Sequence, residues 1–148
     1  MLITTVTTRL ATPDDLDTIK YIADRNKKTI GFVNRASLIE AISHECLYVA
    51  EDIVDDCVIG FANIWRRRRD DWLTLMEICV DVEYRRKGAG RALIARIRHH
   101  NLDRPVRLKC PVDNESNEFY RSLGFTIEHR EAAVGKKRAL NVWVIGWS

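Results

Sequence analysis

Apolar and polar positions follow three rhythms along the chain. "TTVTTRL" (residues 4–10) is β-branched and reads as a short strand. After it, Leu16, Ile19 and Ala23 recur at helical spacing up to about Arg25. In "TPDD", Thr12 suits an N-cap, Pro13 the first helical position, and Asp14 and Asp15 a first turn whose dipole favours anions. "KKTIGFVN" reads as a loop, and a second helix is expected near residues 35–44 with Leu38 and Ile42 on one face. Residues 46–80 then read as strands: "CLYVAE", "CVIGFANIW" and, after "RRRRDD", "WLTLMEICV". A helix over 89–100 carries Ala89, Leu93 and Ile97 on one stripe. The strand "PVRLKC" precedes a short helix from about Asn114, which Leu123-Gly124 ends with a left-handed cap. "FTIEHREAAV" and "ALNVWVIGW" finish the chain around the tip "GKKR". The expected class is α/β in the mixed α+β sense, a mixed sheet with helices on its faces rather than a regular βαβ repeat.

Composition narrows this picture without redirecting it. The 148 residues suit one domain (1–148), and a chain of that size buries roughly 70% of its unfolded surface. A net charge of +3 is too small to mark a nucleic-acid binder. The start lacks the basic and apolar regions of a signal peptide, and no apolar run approaches the roughly 20 residues of a membrane span. The four cysteines (Cys46, Cys57, Cys79, Cys110) lie in or beside apolar runs with no metal-ligand spacing, so buried reduced thiols, no metal and a cytoplasmic setting are expected.

The candidate chemistry is concentrated in "EYRRKGAGR", residues 83–91, where an apolar strand turns into a helix. A helix N-terminus leaves about four N–H groups unpartnered and carries roughly half a positive charge. Gly88 and Gly90 admit unusual backbone angles and a close ligand, and Arg85, Arg86, Lys87 and Arg91 add mobile positive charge. Such a turn is a site for an anion, most naturally a pyrophosphate. The P-loop pattern G-x-x-x-x-G-K-S/T is absent, and Leu93 stands where a dinucleotide fingerprint needs its third Gly.

A third pattern is met in full by Arg85, Gly88 and Gly90: Arg or Gln, two residues, Gly, one residue, then Gly or Ala. This is the acetyl-CoA signature of the GNAT superfamily of N-acyltransferases, which the chain resembles. Its surroundings extend the likeness. "ICVDVEYRRKGAGRALI" is similar to the family's strand, bulge, phosphate loop and helix. "DNESNEFYRSLGF" (113–125) resembles the later helix, and "TRLATPDDLDTI" the opening strand and helix. One departure is Val82, where many members carry Pro.

The resemblance implies a mostly antiparallel mixed sheet of about six to seven strands flanked by about four helices. It also implies an enzyme that moves an acetyl group from acetyl-CoA to a primary amine by direct attack. Backbone N–H groups from about Arg86 to Arg91, Ala89 included, would hold the pyrophosphate, with the basic side chains on the outer phosphates. Splayed strands near Val80 and Val82 would pair with the pantetheine arm, and an N–H near Val80 would receive the oxyanion. Tyr120 takes the place of the family's tyrosine acid, since a phenol is protonated at neutral pH. Asn114 and Asn117 either cap the later helix or contact the cofactor.

Glu77, on the strand leading to the cofactor, is the leading candidate for the base; alternation puts it with Cys79 on the face opposite Ile78 and Val80. His44, Glu45 and Glu51 are weaker candidates, and His99-His100 suits a helix end. Arg66-Arg67-Arg68-Arg69 before Asp70-Asp71 reads as a solvated hairpin tip. The partners implied are acetyl-CoA and an amine, with a homodimer open and no membrane. Nucleic acid is disfavoured, because neither basic tip interleaves aromatics with its cations as RNA-binding sheets do. The rival reading is a non-catalytic acyl-CoA-binding module, or a basic RNA-binding one using Arg66–Arg69 and Lys136–Arg138.

Overall fold

The computed structural model describes residues 5–66 and 71–146; Thr4, Trp147 and, of the run expected as a hairpin tip, Arg67, Arg68, Arg69 and Asp70 lie outside the described residues. Among the described residues seven strands form one sheet in the order β1-β2-β3-β4-β5-β7-β6. They are β1 (Val6–Leu10), β2 (Leu47–Asp52), β3 (Cys57–Arg66), β4 (Leu73–Val80), β5 (Val106–Pro111), β6 (Thr126–Glu131) and β7 (Leu140–Ile145). Every neighbouring pair is antiparallel except β4 and β5. Among the described residues five helices accompany them: α1 (Leu16–Arg25), α2 (Lys27–Ile30), α3 (Arg35–Ser43), α4 (Ala89–His100) and α5 (Ser116–Ser122). Helix α2 is one more than expected. It is a single turn in the segment read as a loop, closed by Gly31 at φ +80°.

Local signals explain where the elements start. Thr12 precedes a 3-10 turn (Pro13–Asp15) that leads into α1, and its N–H donates to Asp15 Oδ2 at 2.7 Å. Asp15 is buried, which works against its charge. Hydrogen bonds from Arg9 and Thr12 outweigh that cost and hold the carboxyl below the usual range. Asn34 caps α3 through Ser37 N–H at 2.7 Å.

Helix α4 packs on β1, β2 and β3 with Leu93, Ile94 and Ile97 buried, while α1 packs on β3 and β4 and α3 on β2. The core includes Trp143, Tyr48, Phe61, Phe125, Ile19 and Leu38; full burial of one such aliphatic or Phe side chain is worth about 1.5–3 kcal/mol. Cys46, Cys79 and Cys110 are buried, Cys57 is half-buried, and all four are free thiols. Among the described residues no helix is long and apolar enough to cross a membrane.

Two irregularities shape the middle of the sheet. Strands β4 and β5 pair only at Leu73–Val106 and Thr74–Arg107. Beyond Thr74, β4 stays with β3 as far as Val80, and β5 follows β7 to Pro111, so a wedge opens between them. The second irregularity lies between β3 and β4, where Ile64 pairs with Leu75 but Asn63 pairs with Glu77. Met76 has no opposite partner, which makes it a β-bulge. The extra residue resets the alternation: Leu75 and Ile78 are both buried, Met76 is 55% exposed and Glu77 is half-buried.

Candidate active site

The loop after β4 is built for backbone presentation. A 3-10 turn (Val82–Tyr84) ends the strand, and Arg86 and Gly88 then adopt left-handed φ values of +69° and +82°. Helix α4 makes its first bond from Ala92 N–H to Gly88 C=O at 3.0 Å. The N–H groups of Ala89, Gly90 and Arg91 precede that bond and have no acceptor within the helix. A Cβ on Gly88 would meet nothing within 4 Å, so the sign of φ alone explains this glycine. Gly90 has another reason. A Cβ there would lie 2.8 Å from Leu123 Cδ2 and 3.3 Å from Phe119 Cζ, so this glycine lets α4 approach α5. The expected role in close ligand approach is therefore joined by a packing role.

The basic side chains are less mobile than the sequence implied. Arg85 donates to Asn26 Oδ1 at 3.1 Å, Lys87 Nζ lies 3.1 Å from Asp52 Oδ2, and Arg91 donates to Ser122 C=O at 2.5 Å. Among the described residues only Arg86 of these four makes no side-chain hydrogen bond or ion pair. Asn26 carried no signal in the sequence, because it sits in a different element from the arginine it holds.

A cavity of about 790 Å³ runs from this loop into the wedge. That lies within the roughly 300–1,000 Å³ of small-molecule sites. It is lined by Ile78, Cys79 and Val80 of β4, by Phe119, Tyr120 and Leu123 at α5, and by Asn26, Thr29 and Ile30 around α2. The direction of the Val80 amide follows from strand pairing. Asp81 N–H donates to Ile59 C=O at 2.7 Å, which makes Gly60–Val80 a non-hydrogen-bonded pair. The N–H and C=O of Val80 therefore point away from β3, into the space that β5 has left. Val82 does not continue this strand. It stands in the 3-10 turn with its side chain 53% exposed, outside the cavity lining.

Tyr120 projects into the cavity from α5, with its ring edge-on to Phe125 at 6.2 Å and tilted against Trp143 at 6.4 Å. Burial pushes its phenol up to about 12, and the nearby Cys110 and Glu77 act in the same direction. It therefore holds its proton throughout the neutral range. Burial also raises the Glu77 carboxyl, partly offset by Asn63 Nδ2, which donates to Oε2 at 2.9 Å. Glu77 is not part of the lining, yet its charge acts on Tyr120. The thiol of Cys79, a lining residue, is pushed up to about 12 by burial and stays protonated.

Asn114 and Asn117 do not line the cavity. Asn114 Oδ1 accepts Ser116 N–H at 2.8 Å in the turn that leads into α5, one residue before the N-cap Glu115. Asn117 uses its amide inside the fold: Nδ2 donates to the carbonyls of Pro111 and Asn114, and Oδ1 accepts from Asn141 and Trp143. It ties α5 to β5 and β7. The weaker base candidates also lie elsewhere: Glu51 pairs with Arg9, the His44 and Glu45 carbonyls accept from Arg66, and His100 Nδ1 meets Tyr48 Oη at 2.6 Å. His99 is exposed on α4, away from the lining.

Known proteins share this architecture. Ard1 from Thermoplasma volcanium superposes with a TM-score of 0.75 at 22% identity, covering 95% of this chain and 97% of that one. A ribosomal-protein-alanine N-acetyltransferase from Escherichia coli gives 0.70 at 20% identity, with 95% and 92% covered. The PaiA N-acetyltransferase from Thermoplasma acidophilum, in complex with coenzyme A, gives 0.72 at 18% identity, with 93% and 97% covered. No curated protein matches the chain by sequence. Residues 43–127, more than half of the chain, match the family model for the acetyltransferase (GNAT) domain. The chain belongs to the GNAT acetyltransferase family.

Proposed function

We propose that the chain is a single acetyltransferase domain that transfers an acetyl group from acetyl-CoA to a primary amine by direct attack. The observation that carries this reading is one continuous cavity. It joins the α4 N-terminus, where N–H groups lack helical acceptors, to the wedge into which the Val80 amide points. An anion at the first and a thioester at the second are the two ends of one ligand. The coenzyme A held by the Thermoplasma acidophilum neighbour supports it.

In this reading the residues divide the work. Glu77, which stands behind the lining, accepts a proton from the amine through water as the N–C bond forms. The Val80 N–H donates to the oxyanion. As the C–S bond breaks, Tyr120 gives its proton to the departing thiolate. A relay of the acetyl group through Cys79 is disfavoured, because a thiol held at about 12 supplies little thiolate at neutral pH. Asn114, Asn117 and the Val82 side chain take no part. The Escherichia coli neighbour is named for a ribosomal-protein alanine, which supports an amine as acceptor.

Acetyl-CoA at 100 times its dissociation constant should stabilise the fold by about 2.7 kcal/mol. For a chain of this size that is a rise in melting temperature of roughly 5–11 °C. A screen of amines for acetyl-CoA-dependent thiol release then identifies the acceptor. No shift with acetyl-CoA beside a clear one with NAD or ATP overturns the reading.

A further inference from the structure

A buried carboxylate sits behind the phosphate loop. Asp52 ends β2 and is 0% exposed. Its Oδ1 accepts the N–H groups of Val54 at 2.9 Å and Asp55 at 3.0 Å, which fixes the turn between β2 and β3. Its Oδ2 faces Lys87 Nζ at 3.1 Å. A second set of contacts runs beside this one. Tyr84 Oη donates to Asp55 Oδ2 at 2.7 Å, and the Cys57 thiol donates to Tyr84 Oη at 3.5 Å. The Lys87 ammonium also lies over the Tyr84 ring, 5.2 Å from its centre. The loop is thus fastened to the turn on both sides of Arg85 and Arg86.

Electrostatics alone makes this arrangement odd. A buried carboxylate is costly unless paired, and here it stands beside a site built to receive another anion. It repels that anion and draws off a lysine that the anion would otherwise attract. Geometry offers the compensation. Arg86 carries a Cβ in a left-handed conformation, which is unfavourable unless its surroundings enforce it. Lys87 and Tyr84 bracket that residue, and both are anchored to the β2–β3 turn.

We propose that Asp52 is a positioning residue for cofactor binding: through Lys87, with Tyr84 alongside, it holds the Arg86–Gly88 backbone so that the N–H groups at the start of α4 face the cavity. Lys87 acts as a strut in this arrangement and not as a phosphate ligand. The inference rests on the coenzyme A reading of the site.

The two accounts of Lys87 give opposite signs for Asp52→Asn. If Lys87 is a phosphate ligand held back by Asp52, the substitution frees the ammonium and removes a repulsive charge, so coenzyme A binds more tightly. If Asp52 positions the loop, coenzyme A binds more weakly. The expected result, by titration calorimetry at one ionic strength, is a Kd raised about tenfold, as suits loss of one charge-assisted contact. Lys87→Met should weaken binding to a similar degree, and the double variant should be no weaker than either single one. Acetyl-pantetheine, which lacks the pyrophosphate, should serve Asp52→Asn as well as it serves the wild type, a result general destabilisation would not give. Tyr84→Phe keeps the ring and the net charge while cutting the link to Asp55, and it should raise the Kd a few-fold; it decides the matter if Asp52→Asn does not fold. Unchanged or tighter binding in Asp52→Asn, or an unchanged Kd in Tyr84→Phe, overturns the proposal and leaves the coenzyme A reading standing. A wild-type protein that does not bind coenzyme A overturns both.

Discussion

The two ends of the cavity are built in different ways. The proposed phosphate end is nearly continuous in sequence, from Tyr84 to Arg91, and would work through backbone: two left-handed residues and the open N–H groups of α4. The proposed reacting end draws on three elements: Val80 on β4 and Tyr120 on α5 line the cavity, and Glu77 on β4, held by Asn63 on β3, stands behind that lining. In the proposed mechanism it would work through the Val80 amide and through side chains that only the sheet register brings together. The difference teaches where damage should appear. Changes at the first end should act on binding, and changes at the second on rate.

The largest effect is expected at Gly90, which serves binding and packing together. Gly90→Glu introduces a negative charge where the helix dipole favours a ligand anion. It also drives a side chain into Leu123 and Phe119, which approach to 2.8 and 3.3 Å of even a Cβ. The acetyl-CoA-dependent rise in melting temperature should vanish, and the unliganded melting temperature should fall as well. A variant that keeps the full cofactor shift would show that the α4 N-terminus is not the anion site, and the contrast between the two ends would collapse.

The same contrast explains what was legible beforehand. Helix start, glycines and cations of this loop are local signals, so residues 83–91 read correctly as the passage from a strand that has just ended into a helix. Glu77 was legible as a position on a strand, but its partner was not. Asn63 is 14 residues away, and the two meet only because Met76 is bulged, which no local pattern announces. Asn117 stayed open between helix cap and cofactor contact because its environment was invisible; its partner Trp143 lies 26 residues further on. Helix α2 is one turn long, too short to show a period. The identity of Gly90 was legible, while its packing reason needed a helix met much later in the chain.

At the reacting end, Tyr120→Phe should give the second-largest effect. It removes the hydroxyl and keeps the ring against Phe125 and Trp143. General-acid catalysis typically contributes about 10²–10⁴-fold, and a loss near 10²-fold is expected because water partly substitutes. kcat and kcat/KM should fall together with acetyl-CoA binding nearly intact. A kcat within about twofold of wild type, with loss of stability instead, would make Tyr120 a packing residue and leave a cofactor sensor in place of an enzyme.

Glu77→Gln comes next. An alkyl ammonium with a pKa of about 10.4 needs more help at neutral pH than an α-amine at about 7.7–8.0, so the loss depends on the acceptor. For an alkylamine we expect roughly a tenfold to hundredfold drop at neutral pH. Raising the pH should recover part of it, because solvent then supplies the free amine. A variant whose pH–rate profile matches the wild type removes Glu77 from the mechanism.

The smallest effect should be the most diagnostic of the bulge-dependent pair. Asn63 donates to Glu77 and so favours the charged carboxylate against a burial that disfavours it. Asn63→Ala removes that support, so the Glu77 pKa should rise further above the ordinary glutamate range. A base must be deprotonated to act. The acid limb of kcat/KM should therefore move to higher pH in Asn63→Ala, with little change on the plateau and a few-fold loss on the limb itself. Stability supplies an independent sign. A carboxyl whose folded pKa is raised stabilises the fold while it is protonated, and that contribution is lost as pH rises through the folded pKa. Removing Asn63 makes the ionised form more costly, so the melting temperature of Asn63→Ala should fall below wild type increasingly as pH rises, with the two converging in acid. If both profiles stay in place, Asn63 does not tune Glu77, and the limb belongs to another group. If only the stability profile moves, Glu77 is buried and held by Asn63 without serving as the base.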